Sequence, residues 1–88
     1  MLNDVKLALR LSSDAFDTEI TMLIDACKLD LQLAGVGVVD ETNALIKNAI
    51  IFYCKANFGE NENANKWQRA YDNIKNAIAL TSLFDMEE

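Results

Sequence analysis

The chain has 88 residues, enough for one small domain that buries about 60–65% of the surface its unfolded form exposes. Hydrophobic residues make up 51% of it, which excludes a disordered tail, and 14 acidic against 8 basic residues leave a net charge of −6, which disfavours a module built to hold phosphates. The absence of histidine removes imidazole catalysis and imidazole-ligated metal, and three glycines with no proline favour helix over a β-rich fold.

A first helix is expected over residues 3–11, with Val5, Ala8 and Leu9 on one side. Ser12, Ser13 and Asp14 interrupt it, since such residues prefer caps and turns. A second helix is expected to start at Ser13 or Asp14, with Asp17 and Glu19 facing the positive end of its dipole. Phe16, Ile20, Leu23, Ile24, Cys27, Leu31 and Ala34 recur along it at helical spacing. Gly35 is placed to end it in a left-handed conformation. The third helix is expected to open near Asp40 or Thr42 and to end at Gly59, with Leu45, Ile46, Ala49, Phe52, Tyr53 and Ala56 inward. A polar turn follows, then a fourth helix over 62–80 whose stripe holds Trp67, Ala70, Tyr71, Ile74, Ala77 and Ile78. Glu62–Lys66 and Asp72–Lys75 are spaced for ion pairs on its wet side. The expected architecture is all-α, a small bundle of about four helices with two central ones, in a single domain whose residues 82–88 form a flexible tail.

No chemical site emerges. Asp14 and Asp17 are cap and dipole residues before they are an acid–base pair, and Asp25 and Asp30 point to different sides of their helix. Glu60, Asn61, Glu62 and Asn63 lack the calcium-loop pattern, and the Gly35-Val36-Gly37 run lacks the lysine of a phosphate loop. Cys27 and Cys54 fit neither a zinc nor a redox motif and read as reduced, buried thiols. Trp67 and Tyr71 read as core aromatics. No enzyme activity, cofactor or metal is expected. The opening is unlike a signal peptide, and no apolar run approaches the ~20 residues that cross a bilayer, so a soluble chain without a membrane partner is expected.

The informative feature is a surplus of apolar residues. At 100° per residue the second helix carries another row, Met22, Ala26, Leu29 and Leu33, opposite its core stripe, and Ile51 and Phe58 lie on the far side of the third helix. Either these two helices are a central pair covered by the others, or part of the row is left for another chain. Burying three or four such side chains at ~25 cal/mol per Å² stabilises an association by several kcal/mol.

The opening LNDVKLALRLSSDAFDTEITMLIDACK and the segment LIKNAIIFYCKANFG carry a resemblance. A short helix at 2–10, a polar turn at 12–14, the run Asp17 to Lys28, and then Ile50, Tyr53, Phe58 and Gly59 are similar to small phage head–tail connector proteins, over about residues 2–82. The resemblance implies an oligomeric ring under the portal vertex, joining the DNA-filled head to the tail and extending the DNA channel. Its partners would be other copies of itself, the portal protein and the next head–tail protein. DNA would pass without specific binding, since carboxylates repel phosphates. The place would be the virion, after assembly in the host cytoplasm. Met22, Leu29, Leu33, Ile51 and Phe58 then become candidate subunit-interface residues, and Leu83, Phe84 and Met86 a candidate portal-docking tail. A rival from another class is a small acidic regulator, antitoxin-like, that caps a basic partner. A DNA-reading helix-turn-helix is disfavoured by charge.

Overall fold

The computed structural model describes residues 1–59 and 62–86, with side chains through Thr81. It contains four helices: α1 (Leu2–Ala8), α2 (Asp17–Leu33), α3 (Ala44–Asn57) and α4 (Ala64–Met86), with no strand among the described residues. The bundle is all-α, as the glycine- and proline-poor composition led one to expect.

Each boundary has a local cause. α1 ends sooner than expected because Arg10 takes a left-handed backbone (φ 60°). Its N–H then donates to the Leu7 carbonyl and that of Leu11 to the Lys6 carbonyl, closing a Schellman turn. α2 ends the same way. Gly35 sits at φ 107°, and the N–H groups of Gly35 and Val36 donate to the carbonyls of Gln32 and Leu31. Val36 and Leu31 are both buried there, the apolar contact that accompanies this motif.

The start of α2 lies later than Ser13 or Asp14. Ser13 accepts from the Ala15 N–H in a tight turn, Asp14 is taken by Lys6, and Phe16 precedes the first helical residue without a side-chain cap. α3 also opens later than expected. Asp40 folds back on Thr42, and Asn43 is the N-cap, its side chain accepting from the N–H groups of Leu45 and Ile46. α4 begins at Ala64, leaving Glu62 outside the helix, and extends past Leu80 to Met86.

α3 packs against α1, α2 and α4, and α1 closes over α2 and α3. Aromatic contacts fix the directions. Phe16 at the start of α2 meets Phe58 at the end of α3 edge to face, with ring centroids 5.4 Å apart. Phe52 near the end of α3 stacks on Trp67 near the start of α4 at 5.7 Å, and Tyr53 meets Tyr71 at 5.1 Å. α2 and α3 are therefore antiparallel, as are α3 and α4, so α2 and α4 run the same way. The core comprises Val5, Ile20, Ile24, Cys27, Leu31, Val36, Ile46, Ala49, Ile50, Cys54, Tyr71 and Ile78.

Candidate functional site: the outer face of α2

α2 buries Ile20, Ile24, Cys27 and Leu31 and so turns the opposite stripe away from the bundle. Met22 is 67% exposed, Leu29 57% and Leu33 80%, with Ala26 also exposed between them. Their spacing of four, three and four residues keeps them on one line about 16 Å long. Isolated exposed leucines are ordinary, but an aligned row opposite a complete core stripe is not needed for this fold. Ile51 and Phe58 are placed differently. Both are half-buried and pack against the core, and Phe58 is covered in part by Phe16. The protomer thus separates the five candidates into three open side chains on α2 and two that its own packing already engages.

The row is bordered by exposed Glu19, Asp25 and Gln32. The sole cation of α2, Lys28, is half-buried and ion-paired to Glu41 in the α2–α3 connection. The outer face of α2 is therefore apolar along its centre and acidic at its edges. Leu7, Val38, Leu45 and Leu80 are further exposed apolar side chains. Leu45, and Phe16 at the start of α2, are exposed although spacing placed both inward, while Leu7 and Leu80 lie on the outward sides of α1 and α4 and Val38 in the α2–α3 connection.

The polar contacts are structural. Lys6 reaches Asp14 and Asp17, both at 2.8 Å, and ties α1 to the start of α2. Its ammonium holds the Asp14 carboxyl below the ordinary value, and those two carboxylates in turn raise the Lys6 pKa. Asp14 and Asp17 thus share one cation. The Tyr71 hydroxyl donates to Asp30 at 2.5 Å and Lys75 approaches the same oxygen at 3.3 Å, linking α4 to α2. The tyrosine bond, then Lys75, lowers the Asp30 pKa, while burial first and Asp30 next raise that of Tyr71. Burial pushes both cysteine thiols up to about 12, so each is a neutral, inert core group. Asp72 does pair with Lys75, at 3.8 Å, but Glu62 and Lys66 form no ion pair among the described residues. Lys66 instead lies 5.3 Å from the Trp67 ring centroid, and Lys55 lies 4.3 Å from it.

Among the described residues no three metal-ligating side chains come together, and no helix is long and apolar enough to cross a membrane. The side chains of Leu83, Phe84 and Met86 lie outside the described residues, although the helical backbone of α4 runs through them. What the fold presents is a small helical domain whose most distinctive surface is the exposed apolar row of α2. The chain matches the phage connector protein family over residues 1–83 and belongs to that family. No curated protein and no solved structure matches it significantly. Membership gives the chain a structural connector role in a phage.

Proposed function

We propose that the chain is the repeating subunit of a ring at the portal vertex, joining the DNA-filled head to the tail and extending the DNA channel in the virion. The observation that carries this reading is the exposed row of Met22, Leu29 and Leu33 on a chain of the phage connector family. A ring requires each copy to bury surface on its neighbours, and this row is an aligned apolar surface that the protomer leaves open. Met22, Leu29 and Leu33 are the contact residues favoured here, since Ile51 and Phe58 already have partners. The net charge of −6 suits a conduit that repels phosphate and lets DNA slide. The end of α4, with Leu83, Phe84 and Met86, is the proposed dock on the portal protein, and the opposite rim of the ring would receive the next head–tail protein.

The test is reconstitution with the portal protein of the same phage, read by co-sedimentation and electron microscopy. Rings stacked on the portal are the expected result. A chain that stays monomeric and never associates with the portal would overturn the reading. A tight one-to-one complex with a basic protein would replace it with that of a small acidic regulator.

A further inference from the structure

The outer face of α4 differs in kind from that of α2. Lys66, Arg69, Asn73, Asn76 and Leu80 are all exposed and follow one another at intervals of three, four, three and four residues. They form a second straight row, cationic at its start, apolar at Leu80, with no carboxylate in it. Neither Lys66 nor Arg69 is ion-paired to a carboxylate among the described residues. The α2 row has the reverse charge in the same order: Glu19 and Asp25 towards its start and Leu33 at its end. Both rows face away from α3, the helix on which α2 and α4 each pack.

We propose that the outer row of α2 docks on the outer row of α4 of a second copy, with the two helices parallel. This rests on the self-assembly reading above. The direction follows from the fold. α2 and α4 run the same way within a protomer, and rotation about an axis along the bundle preserves that direction in the neighbour. A shift of 47 positions aligns both rows, bringing Glu19 opposite Lys66, Met22 opposite the stem of Arg69, and Leu33 opposite Leu80. A pairing of α2 with α2 across a twofold axis offers no cation to Glu19 or Asp25, because the one lysine of α2 is engaged by Glu41. Head-to-tail contact leaves a free α2 row on one copy and a free α4 row on the other, so addition continues until a ring closes.

The experiment uses the full chain with cysteines at two exposed positions, Leu33→Cys and Leu80→Cys, under mild oxidation, with circular dichroism confirming the fold. The double variant is expected to give a ladder of linked multimers. Neither single variant alone should cross-link, and their mixture should stop at dimers. Adding Glu19→Lys to the double variant should lower the yield about threefold at low salt, and Lys66→Glu added on top should restore it. Linked dimers from Leu33→Cys alone would mean that α2 pairs with α2, overturning the α4 contact while leaving self-assembly intact. An absence of cross-links alongside oligomers of the unaltered chain in sedimentation would overturn this pairing only. An absence of cross-links together with a monomeric unaltered chain, alone and with portal, would overturn both this pairing and the ring.

Discussion

The hydroxyl of Tyr71 donates to the carboxylate of Asp30 at 2.5 Å, across 41 residues of sequence and between two helices that otherwise touch little. Tyr71 is buried and Asp30 partly exposed, so the bond joins the core to the surface. Replacing Tyr71 with Phe keeps the ring against Tyr53 and removes the hydroxyl, with its bond to Asp30 and its weaker contact to the Cys27 thiol. The expected loss is about 1.5 kcal/mol, at the low end for a charged acceptor because Asp30 regains water. Tyr71→Ala should cost about 3–5 kcal/mol through the cavity it leaves. Urea denaturation of both variants measures the difference.

The same contact sets an acid response. Asp30 has a folded pKa below its ordinary 3.8, so its contribution is complete above that value and is lost as pH falls through the lower, folded value. Stability should decline below about pH 4, and Asp30→Asn should flatten that decline while lowering stability at pH 7. Urea midpoints between pH 2 and 7 report both effects. An unchanged acid limb in the variant would remove Asp30 from the account.

Cys27 and Cys54 lie wholly inside the core with thiols raised to about 12. At pH 8 a thiol reagent should label neither in the folded chain faster than the chain opens, and both at once in denaturant. Rapid labelling of either in native buffer would contradict their placement.

Arg10 occupies a backbone region that costs a side-chain-bearing residue roughly 1 kcal/mol. Arg10→Gly should therefore raise stability by about 0.5–1 kcal/mol, with Arg10→Ala near neutral because it keeps the strain. Thermal unfolding distinguishes the two.

Leu31 and Leu33 are two residues apart and opposite in environment, one sealed and one 80% exposed. Leu31→Ala should cost about 2–5 kcal/mol of stability. Leu33→Ser should change stability by less than about 0.5 kcal/mol and act instead on association, read by sedimentation at several concentrations.

Much of this was legible because it depends on neighbours in sequence. The inward Ile20, Ile24, Cys27 and Leu31, the left-handed Gly35 and the outward row through Met22, Leu29 and Leu33 follow from helical spacing, whereas Phe16 and Ala34, expected in the same stripe, flank α2 and are exposed. Helix starts were less so. Asp14 is a good N-cap by type, but Lys6, eight residues earlier, claims it, and Asn43 out-competes Asp40 because Asp40 bonds Thr42. Arg10 gave no signal, since its backbone is one that glycine is expected to supply. Asp30, Tyr71 and Lys75 are brought together only when α4 docks. The half-covered state of Phe58 likewise depends on Phe16 arriving from another helix.

α4 has 23 residues and its partner α3 has 14, a difference of about 13 Å of rod. Ile78 is the last of the described α4 side chains in the buried core. Up to that point the helix is gripped along one face alone, so Lys66, Arg69, Asn73 and Asn76 can drift in sequence with little effect on folding.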